Sequence, residues 1–181
     1  MAIFLRNRRQ IVTGENFEQD KRDIRKEATM TTNEVIGLLR KGRAYASRTR
    51  YKEAIAYYEK ALALDPGNPE TWYLRAVVFT ETGRNMDALA DCEHAIVLNQ
   101  NYAAAWSKKG HALYNLERYD DALFACTRAL ALNGNDASAW YIKGVCLDEL
   151  GRNDEAQEAY GKSLELEIIL DMEAEKKKVG K

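Results

Sequence analysis

Residues 72–106, WYLRAVVFTETGRNMDALADCEHAIVLNQNYAAAW, run from one tryptophan to the next in a step of 34. Trp140 lies another 34 residues on, and one step back from Trp72 lands on Leu38. A period of this length marks a chain built from stacked copies of one supersecondary unit. Other columns keep the step. Gly42, Ala76, Gly110 and Gly144 form a small-residue column, and Tyr45, Phe79, Leu113 and Leu147 a large apolar one. Ala54, Ala88, Ala122 and Ala156 are all alanine; Tyr58, Cys92, Cys126 and Tyr160 follow, then Ala61, Ala95, Ala129 and Ser163.

Inside a unit the spacing is helical. Trp72, Ala76 and Phe79 are four and three residues apart, which places them on one stripe of a helix. Ala88, Cys92 and Ala95 repeat the pattern on a second helix, whose small residues let the two approach closely. Each unit is therefore a helical hairpin. Arg50, Arg84, Arg118 and Arg152 are expected to close the first helix of each unit, where a cation suits the negative end of the dipole. Glu53, Asp87, Asp121 and Glu155 suit the first turn of the second helix. Gly83 and Gly151 supply the residue expected just past a helix C-terminus. Asn68 followed by Pro69 reads as an N-cap with proline at the first helical position, and Asp136 can cap the fourth unit.

These columns resemble the tetratricopeptide repeat family, whose 34-residue unit places tryptophan, glycine, tyrosine, alanine and proline at these offsets. The resemblance covers roughly 35 to 168. The leucine beside the small column is replaced by Lys41, Arg75, Lys109 and Lys143, and the closing proline survives only at Pro66, with Gln100, Gly134 and Ile168 elsewhere. The implied fold is all-α, a right-handed α-α superhelix of four helical hairpins with an extended C-terminal helix. Residues 1–31 read as an N-terminal charged segment, either disordered or one helix; 32–168 hold the repeats (about 35–68, 69–102, 103–136 and 137–170); 169–181 form a helical extension and basic tail. Glu15 to Ala28 can form a helix with Phe17, Ile24 and Ala28 on one side, and Met30 is a candidate start site.

At the far end, Gln157 replaces Ile55, Leu89 and Leu123 of its column, as suits the polar outer face of a terminal repeat. Leu166, Ile168, Ile169, Leu170 and Met172 then continue the last helix without a breaker. This apolar extension either packs back on the solenoid or pairs with a second copy. Lys176, Lys177 and Lys178 suit the C-terminal dipole.

A net charge of −1 offers no global basic field for nucleic acid. Ala2-Ile3-Phe4-Leu5 precedes Arg6, Arg8 and Arg9, the wrong order for a secretory signal, and no stretch approaches a membrane span. A cytoplasmic location is expected. Cys92, Cys126 and Cys146 form no C-x-x-C pair and read as buried, inert thiols. His94 lies two residues from Cys92, which turns the pair apart on a helix, so no metal site is expected, and no cofactor. No phosphate loop or nucleophile elbow occurs. Nothing converges toward catalysis, and an enzyme is not expected.

Stacked hairpins of this kind create a concave face lined by the first helix of each unit. By helical angle it carries Tyr73, Val77, His111, Tyr114, Tyr141, Val145 and Arg43, with Leu39, Glu70 and Thr80, and with Arg40 and Lys108 at its edge. Aromatic and apolar residues beside Arg40, Arg43, Lys108 and His111 suit an acidic or C-terminal peptide segment from a protein partner. Two alternatives stay open: an ordinary solvated helix face, or a groove filled by the N-terminal helix. Part of the family clamps acidic chaperone tails with lysine at positions equivalent to 39 and 104, asparagine at 43 and 74, and arginine at 108. Here these are Leu39, Arg43, Leu74, Ala104 and Lys108, and only the last is a near match. The expected function is a protein-interaction scaffold or adaptor. The alternatives are a self-associating module, a homodimer through the C-terminal helix, and an accessory domain of an enzyme complex.

Overall fold

A computed structural model describes residues 14–179, leaving Ala2–Arg9 outside the described residues and, within the first helix, the side chains of Phe17, Ile24 and Ala28 as well. The described residues form eight helices in series: α1 (Gly14–Ala46), α2 (Tyr51–Leu64), α3 (Pro69–Glu81), α4 (Asn85–Leu98), α5 (Ala103–Asn115), α6 (Tyr119–Leu132), α7 (Ala137–Glu149) and α8 (Asn153–Val179). Each odd-numbered helix pairs with the even-numbered one after it, giving four hairpins stacked in chain order. α1 also touches α3, α3 touches α5 and α5 touches α7, whereas no even-numbered helix touches another. The array therefore curves with the first helices on its inner side.

The hairpins are held close by the small column. A Cβ placed on Gly42 would overlap the ring of Tyr58, and one on Gly110 the sulfur of Cys126. On Gly144 it would lie 2.7 Å from the Tyr160 ring. Where the first helix has Ala76 instead, Cys92 stands opposite in the same buried cluster. The four alanines at 54, 88, 122 and 156 are fully buried beneath this contact. Burial pushes the thiols of Cys92 and Cys126 up to about 12 and that of Cys146 to about 11, so all three are the buried, unreactive groups expected.

One turn joins every hairpin to the next. The backbone N–H of Asp65, Asn99 and Asn133 donates to Ala61, Ala95 and Ala129 at 2.9, 2.9 and 2.8 Å. Each side chain then accepts from the N–H two residues on, at 3.0, 3.0 and 3.2 Å. This Asx turn stops the helix. The indole N–H of the following tryptophan donates into the same turn: Trp72 to the Pro66 carbonyl at 2.8 Å, Trp106 to Gln100 at 3.0 Å, Trp140 to Gly134 at 2.9 Å. A backbone carbonyl is present whatever the side chain, which is why the closing proline can be lost at two turns without changing them. Asn68 and Asp136 cap α3 and α7 as expected, accepting from Glu70 and Thr71 and from Ala139.

The fourth turn is missing. Glu167 occupies the column of Asp65, Asn99 and Asn133, and its longer side chain does not form the Asx turn; α8 runs on to Val179. The twelve residues past it reach about 18 Å at 1.5 Å each. α8 touches only α7, so the extension does not pack back on the solenoid. Leu164, Ile168, Leu170 and Met172 are 59%, 51%, 56% and 55% exposed. Gln157 is exposed as a terminal repeat requires, yet Leu164 is also exposed, where Leu62 and Ile96 of its column are buried. The end face is only partly polar.

Inside each hairpin the arginine column acts differently from expectation. The backbone N–H of Arg50, Arg84, Arg118 and Arg152 closes the first helix by donating to the carbonyl five residues back, at 3.0, 2.8, 3.0 and 2.8 Å. The side chain turns to the second helix instead, with Nε on Glu53, Asp87, Asp121 and Glu155 at 2.8, 2.7, 2.9 and 2.7 Å. Such exposed pairs contribute about 0–1 kcal/mol each. The residue before each arginine has a left-handed backbone: Gly83 and Gly151 with φ of 73°, and Thr49 and Glu117 with φ of 56° and 59°. A Cβ in that region costs about 1–2 kcal/mol. Glu117→Gly is therefore expected to stabilise the chain by about 0.5–1 kcal/mol after glycine's entropic cost. Urea unfolding of the variant checks it, and a lower midpoint contradicts the strain.

Candidate functional site

The inner face is built from one side of α1, α3, α5 and α7. Among the described residues neither end of the chain lies across it, since α1 touches only α2 and α3, and α8 only α7.

At its first-repeat end Arg43 donates to the Glu70 carboxylate of α3, an ion pair between consecutive hairpins in which both side chains are about half exposed. Beside it Tyr73 packs against Tyr102, with ring centroids 5.2 Å apart. Burial raises the phenol of Tyr73 and pushes that of Tyr102 up to about 12; for Tyr102 the nearby Tyr73 and Glu70 add to it and Arg43 opposes. Arg43, Glu70, Tyr73 and Tyr102 thus form one cluster across α1, α3 and the start of α5. Nothing in the repeat pattern singled out Tyr102, which precedes α5 where Asn68 and Asp136 precede α3 and α7.

Further along, Val77, Lys108, His111, Tyr114 and Val145 are half-buried. His111 is held below the usual histidine range by burial first and by Lys108 second, with Glu81 opposing. It is neutral at pH 7, so the cations of this stretch reduce to Lys108. Tyr114 meets Tyr119 of α6 at 6.1 Å. At the last repeat Tyr141 is 53% exposed and meets Tyr160 at 5.9 Å; the Tyr160 hydroxyl donates to Asp148 at 2.8 Å. Arg40 is exposed on α1. Leu39 and Thr80, expected on the same face, are buried; the Thr80 hydroxyl donates to the Ala76 carbonyl at 2.9 Å.

No group of three or more His, Cys, Asp or Glu side chains arranged to hold a metal occurs among the described residues, and none of their helices is long and apolar enough to cross a membrane.

Two family profiles match the chain, one described as TPR repeat over residues 42–83 and one as tetratricopeptide repeat over 107–166. Solved structures agree. The chain is similar to MamA, at 25% identity and a TM-score of 0.69 over 87% of this chain and 92% of that one. It is similar to the first TPR of Spaghetti (RPAP3), described as bound to the HSP90 peptide SRMEEVD, at 29% identity and a TM-score of 0.64 over 66% and 94%. The Sgt2 TPR domain from Aspergillus fumigatus matches at 27% identity and 0.64 over 67% and 82%. A comparison with curated protein sequences finds no match. The chain belongs to the tetratricopeptide repeat family.

The depressed pKa of His111 has a consequence for stability. Free histidine titrates near about 6.5. Below that pH the unfolded chain binds a proton that the folded chain refuses, so stability falls as pH drops through about 6.5, by at most about 1.4 kcal/mol per pH unit. His111→Gln is expected to flatten this part of the profile between pH 5 and 6.5. Thermal unfolding across that range measures it, and an unchanged slope contradicts the assignment.

Proposed function

We propose that the chain is a protein-interaction scaffold that holds an extended segment of a partner protein against the inner face of α1, α3, α5 and α7. The observation that carries this is the row of half-buried side chains, Tyr73, Val77, His111, Tyr114 and Val145, running across three consecutive first helices with no described segment over it. Amphipathic aromatic surfaces of this kind supply anchor pockets at little entropic cost. The solved Spaghetti domain, similar in fold, holds a peptide.

The side chains here select a different peptide from one with a chaperone-type acidic tail. Leu39 is buried, and Leu74 and Ala104 carry no donor, so Lys108 is the single cation left at a clamp position outside an ion pair. A ligand with one carboxylate near Lys108 and apolar side chains over Tyr73 and Tyr114 fits. A carboxylate at Arg43 must displace Glu70.

Affinity capture from source lysate identifies the segment, and anisotropy of its labelled peptide then tests the face. Lys108→Glu is expected to weaken binding at least about tenfold with an unchanged melting temperature. Glu70→Gln, which releases Arg43, is expected to tighten it. A peptide bound equally by both variants and the parent chain overturns this reading.

A second reading has its own support in the exposed Leu164, Ile168, Leu170 and Met172 of α8, an apolar surface in which a second copy can bury its own. Light scattering of the full chain against Ile168→Glu/Met172→Glu decides it. A dimer that the double variant turns into a monomer supports self-association; the same mass for both removes it.

A further inference from the structure

Away from the inner face, the crease between the two helices of the second, third and fourth hairpins carries a second repeated arrangement. A cation three residues after each tryptophan lies over the indole: Arg75 at 5.1 Å from Trp72, Lys109 at 5.7 Å from Trp106, and Lys143 at 4.9 Å from Trp140. Two of these cations have a carboxylate. Arg75 donates through Nε and Nη2 to both oxygens of buried Asp91, at 2.7 and 2.8 Å. Lys109 donates to Glu93 of the preceding hairpin at 2.8 Å.

Lys143 has neither. The position of Asp91 becomes Ala159 in the fourth hairpin, and the position of Glu93 becomes Thr127, whose hydroxyl donates to the Leu123 carbonyl at 2.8 Å. No ion pair forms between Lys143 and a carboxylate among the described residues. The indole differs as well. His94 stacks on Trp72 at 4.4 Å and Phe124 meets Trp106 edge-on at 6.2 Å. The corresponding residues in the fourth hairpin are Lys162, which donates to Glu165 at 2.9 Å, and Glu158.

What remains is an open cleft of about 470 Å³ lined by Trp140, Lys143, Leu147, Ala159, Gly161 and Lys162. That volume is in the range of small-ligand sites. Two carboxylates also line it: Glu155, held by Arg152 at 2.7 Å, and Glu158.

We propose that this cleft binds an arylalkyl carboxylate, with the ring laid on Trp140 as His94 lies on Trp72 and the carboxylate on Lys143 as Asp91 lies on Arg75. The second hairpin has its own cleft of about 360 Å³ at this place, but there His94 and Asp91 already engage the indole and the guanidinium; in the fourth, Lys162 and Ala159 stand in their positions. Stacking on indole and a charge-assisted hydrogen bond to a half-buried ammonium supply the binding, and Glu155 and Glu158 keep it modest. The site stands independently of the inner-face reading.

The test follows the three indole N–H resonances of the full-length, nitrogen-15-labelled chain, assigned with single Trp→Phe variants. Phenylacetate is expected to move the Trp140 signal alone and to saturate in the millimolar range, while phenylacetamide and benzylamine leave it in place. Lys143→Gln and Ala159→Asp are each expected to weaken phenylacetate at least about tenfold; Ala159→Asp supplies the missing carboxylate from within. N-acetyl-phenylalanine separates the sources. Tighter binding than phenylacetate marks a protein C-terminus as the ligand, and weaker binding a free aromatic acid. The proposal is overturned if all three indoles move alike, if phenylacetamide or benzylamine shifts Trp140 as far, or if Lys143→Gln binds like the parent chain.

Discussion

Everything in this molecule depends on how near the two helices of a hairpin come at Gly42, Ala76, Gly110 and Gly144. Where the first helix has no side chain, the second fills the space with Tyr58, Cys126 or Tyr160; where it has a methyl group, Cys92 stands opposite. The small residue on the first helix is the constant of the four pairs, and it is what lets the second helix approach. Only hairpins of common spacing can stack in one register and place α1, α3, α5 and α7 side by side. The tryptophan indoles then fasten each hairpin to the turn before it through a main-chain carbonyl.

The inner face is largely self-neutralised. Arg43 is engaged by Glu70, Asp148 accepts from Tyr160, and His111 gives up its charge to burial and to Lys108. Groups already satisfied within the fold cost little to cover, so shape and aromatic surface outweigh net charge in deciding what can lie there. The crease side shows the opposite arrangement, with cations set on indole faces and their counter-charges supplied unevenly from one hairpin to the next.

How much of this was legible in the sequence follows from whether a feature repeats. The 34-residue step, the small column, the caps at Asn68 and Asp136 and the left-handed glycines at 83 and 151 recur or have a local chemical signature, and the structure shows each of them. Thr49 and Glu117 adopt the same left-handed backbone with no local sign, because the hairpin turn imposes it. The Asx turns at Asp65, Asn99 and Asn133 were written in a column as regular as the tryptophans, but small polar residues in turns are too common to stand out. Contacts between different columns were invisible. Arg43 with Glu70, Tyr73 with Tyr102 and Arg75 with Asp91 each occur in one place, so no period announces them. The same holds for the inner face, where angle identified the helices' exposed side but not the burial of Leu39 and Thr80.

One substitution at the last turn alters the mechanics of the array. With Glu167 in place of a turn-forming Asp or Asn, α8 is one continuous helix from Asn153 to Val179. A load applied near Met172 meets no hinge before Tyr160, whose hydroxyl is tied to Asp148 of α7, and Ala159 and Gly161 beside Trp140 ride on the same helix. The end of α8 is thus a lever whose short arm lies between the inner face and the crease of the fourth hairpin, and torque on it is delivered to both.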